Sequence, residues 1–164
     1  MSEHKPAVCV IGLGSMGMGA ARSCIAAGLP TFGVDISDMA CAALRDAGAV
    51  DAGPDGRGFA SRLDAVLVLV VNAAQVEAVL FGEAGIASAL KPGTTVMISA
   101  TIAPQDARRF GAMLAERGLV MLDAPVSGGA AKAAVGAMTV MAAGSAEAFA
   151  ALRPVLSAVA EKVY

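Results

Sequence analysis

The most constraining feature of the sequence is a cluster of glycines near its amino terminus. Gly12, Gly14 and Gly17 form the pattern G-x-G-x-x-G within the segment VIGLGSMGMGAARS. Glycine inside regular structure costs roughly 0.5–1 kcal/mol relative to alanine, so such a cluster needs a compensating use. The apolar residues 7–11 before it predict a buried strand, and residues 15–27 predict a helix. The glycines therefore mark a tight turn from strand to helix.

A glycine-rich turn at this place is typical of domains that bind dinucleotides. The first glycine permits the turn, the second lets the main chain approach a pyrophosphate, and the third lets the helix pack closely on the strand. Backbone N–H groups and the positive end of the helix dipole then face the phosphates. We expect Leu13, Ser15 and Met16 to line the cofactor together with the three glycines. The pattern alone is weak evidence, because glycine-rich turns are common.

An acidic residue lies at the spacing that this pattern requires. Asp35 ends the predicted second strand, eighteen positions beyond Gly17, close to the roughly 20 expected for the acid that binds the ribose hydroxyls. Its carboxylate would repel a 2′-phosphate, and no Arg or Lys follows until Arg45. These features favour NAD over NADP. The competing interpretation of Asp35 is a solvated loop acid or a helix cap, for which Ser37 and Asp38 are rivals.

The order of predicted elements defines the fold class. Strands and helices alternate along the chain, and this order predicts βαβ units and a parallel sheet. We expect one doubly wound α/β domain over residues 1–164, and the 57% apolar and 16% charged composition fits a sheet buried on both faces. The predicted strands are residues 7–11, 31–34, 65–71, 95–99, 119–123 and 138–143; the predicted helices are residues 15–27, 38–47, 73–81, 104–117 and 146–160, with a loop at residues 48–58.

Composition also excludes several classes of partner. The net charge is −2 without a basic cluster, so nothing favours nucleic acid. The apolar run AVLVLVV is far shorter than the roughly 20 residues of a membrane span, and the start MSEHKP lacks the apolar core of a signal peptide. The three cysteines have neither metal-ligand spacing nor an even number. We expect a cytoplasmic protein that binds neither nucleic acid nor a membrane, and no metal.

Four segments resemble the β-hydroxyacid dehydrogenase family, whose members include 3-hydroxyisobutyrate and tartronate semialdehyde dehydrogenases. They are IGLGSMGMGAARS, VVNAAQ, SATIAPQDA and DAPVSGGAAKAAVGAMTVMAAG. The resemblance covers essentially the whole chain but only the amino-terminal half of a typical member, and it is strongest to a subgroup that oxidises small sugar acids. It implies a Rossmann domain that binds NAD(P), a following all-helical domain, assembly into homo-oligomers, and hydride transfer from a hydroxy acid to the nicotinamide.

The resemblance also assigns residues after the third and fourth main strands. Val71 and Asn72 match the family's loop that borders the cofactor, and Thr101 matches a threonine near the nicotinamide ribose. Thr101 would lie at the carboxyl end of a sheet strand, where such folds bind ligands. The competing interpretations are a cap or turn residue for Asn72 and the N-cap of the next helix for Thr101.

The segment DAPVSGG is the most distinctive match. Ser127, Gly128 and Gly129 offer a hydroxyl and backbone N–H groups that suit an anion, and family members bind the substrate acid with this Ser-Gly-Gly. A plain glycine-rich turn is the competing interpretation. Lys132 could supplement the anion site, but a solvated lysine is the commoner situation, so it stays outside the predicted site.

The resemblance implies no catalytic residue within this chain. The family's general base is a lysine that is expected beyond Tyr164, and neither Lys162 nor His4 can replace it. General-base help is worth roughly 10²–10⁴-fold in rate, so we expect these 164 residues to bind NAD and to have little dehydrogenase activity alone. The alternatives are a non-catalytic module that binds or senses NAD, another member of the family, an imine reductase and, less well matched, a methyltransferase.

Overall fold

The computed structural model describes residues 4–164 and contains a seven-stranded sheet between two layers of helices. The strand order is β3-β2-β1-β4-β5-β6-β9, parallel throughout except that β9 runs antiparallel to β6. The strands are β1 (Val8–Ile11), β2 (Thr31–Val34), β3 (Asp51–Gly53), β4 (Ala65–Val68), β5 (Thr95–Ile98), β6 (Val120–Asp123), β7 (Val126–Ser127), β8 (Met138–Val140), β9 (Ala143–Gly144) and β10 (Ala160–Val163).

Six helices cover the two faces of this sheet. They are α1 (Ser15–Ala26), α2 (Asp38–Asp46), α3 (Ala73–Phe81), α4 (Pro104–Ala115), α5 (Gly129–Ala134) and α6 (Ala146–Val159). The strand order 3-2-1-4-5-6 is that of a doubly wound dinucleotide-binding fold, so the predicted fold class is confirmed. No helix among the described residues is both long and apolar enough to cross a membrane.

Alternating side chains of the buried strands form two separate cores. Val8 and Val10 of β1 contribute to one core together with buried residues of α1, α2, α5 and α6. Cys9 and Ile11 of the same strand contribute to the other core, which includes buried residues of α3 and α4. Because both faces are covered, β1 and β4 are apolar at every position and do not alternate with polar residues. Cys9, Cys24 and Cys41 are buried free thiols, as small core residues are expected to be.

The structure differs from the prediction where the chain lacks a strong apolar pattern. Residues 48–58, predicted as a loop, contain the edge strand β3, whose main chain pairs with β2. Pairing with β2 and burial of Ala52 stabilise this strand, although Asp-Ala-Gly has few side chains that favour a sheet. The predicted strand at residues 138–143 is divided into β8 and β9, which belong to different sheets. The second sheet, β10-β8-β7, and the short helix α5 were not predicted.

Gly19 allows α1 to pack against α5. A β-carbon at this position would lie 2.8 Å from the carbonyl carbon of Ala133 and 2.8 Å from the nitrogen of Ala134, which are main-chain atoms. The close approach of α1 to the main chain of α5 therefore requires glycine at position 19. The buried hydroxyl of Ser23 donates a hydrogen bond to the Ala133 carbonyl at 3.1 Å, so α1 and α5 are also joined by a polar contact.

We predict that Gly19→Val lowers the free energy of unfolding by about 2–3 kcal/mol, because main chain cannot yield as a flexible side chain does. Gly58→Val is the matched control, since a β-carbon there meets open space and no positive φ is required. Urea denaturation of both variants checks this. Equal midpoints for the two variants would contradict the close packing of α1 on α5.

Candidate cofactor and substrate site

The three glycines of the first turn serve three different steric purposes. Gly12 has a φ of +94°, and a β-carbon on it would lie 2.6 Å from the carbonyl oxygen of Leu69. A β-carbon on Gly17 would overlap the carbonyl oxygen of Gly12, so α1 can begin this close to β1 only with glycine there. Gly14, the N-cap of α1, has nothing within 4 Å of its missing β-carbon. Packing therefore requires the first and third glycines, whereas the second borders open space.

The other predicted residues of the turn have unequal exposure. Leu13 is buried in the core beneath the turn, so only its main chain can face a ligand. Ser15 is exposed at the first position of α1, and Met16 is half-buried against the core. No side chain caps the N-terminus of α1. Its first N–H groups thus lack partners within the helix, as an anion-binding helix start requires.

Asp35 joins the glycine turn to the end of β2. One carboxylate oxygen accepts a hydrogen bond from the Leu13 N–H at 2.7 Å, and the other accepts one from the Ser37 N–H at 2.8 Å. The cap of α2 is Ser37, whose hydroxyl accepts a hydrogen bond from the Ala40 N–H. The helix-cap interpretation of Asp35 is therefore wrong. The half-buried carboxylate is fixed beside the turn and keeps lone pairs for a further donor.

The loop after β4 places Val71 and Asn72 at the start of α3. Asn72 is the N-cap, and its side-chain oxygen accepts a hydrogen bond from the Gln75 N–H at 2.9 Å. The side-chain oxygen of Gln75 accepts one from the Val71 N–H at 2.8 Å. The cap interpretation of Asn72 is correct, and this pair of bonds leaves the Val71 side chain 79% exposed. Gln75 was missed in the sequence, although an Asn followed three residues later by Gln is a capping signal.

The segment after β5 contains Thr101 and an unpaired buried hydroxyl. Thr101 is exposed, and the N-cap of α4 is Ala103, so the cap interpretation of Thr101 is wrong. Ser99 is 4% exposed, and its hydroxyl has no hydrogen-bond partner within the described part of the chain. Buried hydroxyls in folded proteins nearly always have a partner. Because the oxygen is sealed from solvent, this unpaired hydroxyl is a local cost to folding and not a ligand contact.

Ser127, Gly128 and Gly129 form an exposed turn between β7 and α5. Ser127 pairs with Thr139 of β8, while Gly128 and Gly129 have φ values of +124° and +67°. Both glycines adopt conformations that other residues rarely do, so this turn is built to expose main chain. The stem of Lys132 lies against the α-carbon of Gly128.

These segments share one edge of the sheet. The glycine turn, Asp35, the loop with Val71 and the segment with Thr101 follow the carboxyl ends of β1, β2, β4 and β5, which are parallel. β6 runs the same way, and Ser127 follows it closely. Ligands bind at this edge in open α/β sheets. His4, by contrast, contacts Asp64 at 3.2 Å, next to the amino end of β4.

Asp123 is a half-buried carboxylate at the carboxyl end of β6. No hydrogen bond or ion pair to it occurs among residues 4–164, and burial raises its pKa above the usual aspartate value. Loss of hydration disfavours the ionised form. This residue therefore weakens the fold at the edge where the predicted site residues gather.

We predict that Gly17→Ala lowers the free energy of unfolding by about 2 kcal/mol, because its β-carbon overlaps the Gly12 carbonyl oxygen. Gly14→Ala is the matched variant, and we expect it to cost at most about 1 kcal/mol, since its β-carbon enters open space and only the N-cap preference for glycine over alanine is lost. Thermal or urea unfolding measures both. If Gly14→Ala proved as destabilising as Gly17→Ala, the open space beside Gly14 would not exist.

We predict that Asp123→Asn stabilises the protein more at neutral pH than at about pH 3. A raised pKa in the folded state means that ionisation favours unfolding, so wild-type stability falls as pH rises from the unfolded pKa through the folded one. The amide of the Asp123→Asn variant does not ionise, so the variant does not lose stability in this way as pH rises. Denaturation at both pH values checks it, with Glu83→Gln as control, because Glu83 is an exposed carboxylate in a turn outside the helices and strands. An increase in the free energy of unfolding that is the same at both pH values would contradict the inference that burial disfavours the ionised form of Asp123.

Several known proteins similar to this chain are dehydrogenases. The family model for the NAD-binding domain of 6-phosphogluconate dehydrogenase matches residues 7–164. L-threonate dehydrogenase of Haemophilus influenzae is 60% identical over all 164 residues, which cover 54% of that protein. NAD-dependent L-serine dehydrogenase of Pseudomonas aeruginosa is 38% identical over 96% of this chain and 52% of its own length.

A solved structure is similar over the same region. The crystal structure of 3-hydroxyisobutyrate dehydrogenase from Salmonella typhimurium matches with a TM-score of 0.94 and 56% identity, over 98% of this chain and 55% of that one. The chain spans about half the length of the curated relatives it matches.

Proposed function

Since this chain belongs to the family of NAD-binding domains of 6-phosphogluconate dehydrogenase, we propose that it holds NAD for the oxidation of a small hydroxy acid. The observation that carries the proposal is the glycine turn joined to Asp35 through the Leu13 N–H. The open space beside Gly14 gives a pyrophosphate direct access to main chain. The Asp35 carboxylate accepts hydrogen bonds from the ribose hydroxyls of the adenosine.

We infer the remaining cofactor contacts from the side chains that are exposed at the carboxyl ends of the parallel strands. Three exposed apolar side chains follow strands at this edge: Ile36 and Met39 come after Asp35, and Val71 comes after β4. In this proposal they contact the adenine ring and exclude water from it. Asn72 holds the loop of Val71 in place, and Thr101 lies nearer the nicotinamide ribose. Ile36 and Met39 were not included in the cofactor site predicted from the sequence. The available signal was that both are apolar residues close to the predicted acid, Asp35.

We propose that Ser127, Gly128 and Gly129 bind the carboxylate of the substrate. The hydroxyl and the main chain that the two glycines expose supply hydrogen-bond donors to an anion. A module that only senses NAD would not need this turn. The substrate that the similarity favours is L-threonate or a related sugar acid, which would become the oxo acid.

The chemistry that NAD supplies is the acceptance of a hydride from the carbinol carbon, while the hydroxyl proton passes to a base. We assign that base to none of the residues 1–164. The family resemblance implies a lysine beyond Tyr164, and a homo-oligomer formed by the whole protein. Three buried, unpaired thiols suit a reducing compartment such as the cytoplasm.

We predict that the chain binds NAD and binds NADP at least about tenfold more weakly, because Asp35 repels a 2′-phosphate. Asp35→Asn keeps an oxygen for the Leu13 N–H but loses the negative charge. We therefore expect it to reduce the difference in affinity between NAD and NADP. Isothermal titration calorimetry with each cofactor measures both effects.

The matched control is Asp38→Asn, an exposed acid in the first turn of α2. It should retain the wild-type preference. A folded wild-type chain that binds neither cofactor would refute the proposed function, and equal affinity for NAD and NADP would refute the role of Asp35.

A further inference from the structure

Lys132 has a fixed stem and a free ammonium group beside the Ser-Gly-Gly turn. A β-carbon on Gly128 would lie 2.7 Å from Cβ and 2.9 Å from Cγ of Lys132, and 3.7 Å from the α-carbon of Met138. The first half of the lysine side chain thus covers the face of Gly128 where a side chain would stand. Only three bonds separate Cγ from Nζ, so the ammonium stays close to the turn.

The main chain of Lys132 is fixed as well. Its carbonyl accepts hydrogen bonds from the Ala137 N–H at 2.9 Å and from the Val135 N–H at 3.3 Å. The next residue, Ala133, is buried beneath Gly19 of α1. The lysine is therefore anchored at its backbone and along its stem, which reduces the conformational entropy lost when its ammonium binds a ligand.

No group of the described chain neutralises this ammonium. The ion pairs within residues 4–164 involve His4, Arg57, Lys91 and Arg109, and Lys132 takes part in none of them. Its Nζ donates no hydrogen bond there either, and the residue is exposed. A free cation beside a turn of exposed main chain is suited to an anion and repels a cation.

We propose that Lys132 binds the substrate carboxylate together with Ser127, Gly128 and Gly129 and so determines the charge of the substrate that is accepted. This inference rests on the proposed function, because it concerns the same turn. The ammonium adds a charge-assisted hydrogen bond to a carboxylate. It disfavours the positively charged iminium substrates of an imine reductase.

The test is an NMR titration of the 164-residue chain, saturated with NAD, with L-threonate and with the neutral polyol threitol. L-threonate should shift the amide signals of Ser127, Gly128 and Gly129. Lys132→Met keeps the stem over Gly128 but removes the charge, and we expect it to weaken L-threonate binding about fivefold, as for one exposed charged contact. Threitol binding should not change, and Lys132→Arg should retain most of the L-threonate affinity.

Lys5→Met is the matched control, because Lys5 is an exposed lysine whose ammonium lies beside Gly28, near the amino end of β2 and away from the Ser-Gly-Gly turn. It should bind L-threonate as the wild type does. Equal L-threonate affinity of Lys132→Met and wild type would overturn the role of Lys132 while leaving the proposed function intact. NAD binding without any effect of L-threonate on these amides would overturn the inference too. Failure to bind NAD would instead refute the proposed function itself.

Discussion

The carbonyl oxygen of Gly12 occupies the space in which any other residue at position 17 would carry its β-carbon. This contact lets α1 begin directly at the end of β1, and the rest of the site depends on that arrangement. The uncapped start of α1 then faces the carboxyl edge of the sheet, and the Leu13 N–H reaches the Asp35 carboxylate. A turn held this closely gives a phosphate access to main chain without rearrangement of the protein.

A second glycine of α1 also permits close packing against main-chain atoms. Gly19 brings α5 against the helix, and α5 follows the Ser-Gly-Gly turn that we assign to the substrate. In α1, Gly17 thus permits the turn that faces the cofactor, and Gly19 permits contact with α5, the helix that follows the proposed substrate turn. The two parts of the proposed site are positioned by the packing of α1, so their relative geometry depends on small residues rather than on flexible side chains.

Much of this could be predicted from the sequence, because β1 and β4 are apolar throughout and the glycine pattern is followed by Asp35 at the expected spacing. The bounds of β2 and α3 were predicted as observed, and the fold class and family resemblance are confirmed by strand order and by the family match. β3, β7 and α5 could not be predicted, since pairing with neighbouring main chain and contact with α1 determine them. The hydrogen bond from Leu13 to Asp35, twenty-two residues apart, was equally beyond a local pattern.

The cofactor position is tested most directly by a crystal structure of this chain soaked with NAD. We expect density for the pyrophosphate against the main chain beside Gly14 and for the adenosine ribose hydroxyls within hydrogen-bond distance of Asp35. A turn closed by side chains, or NAD bound at another edge of the sheet while this one stays vacant, would contradict it.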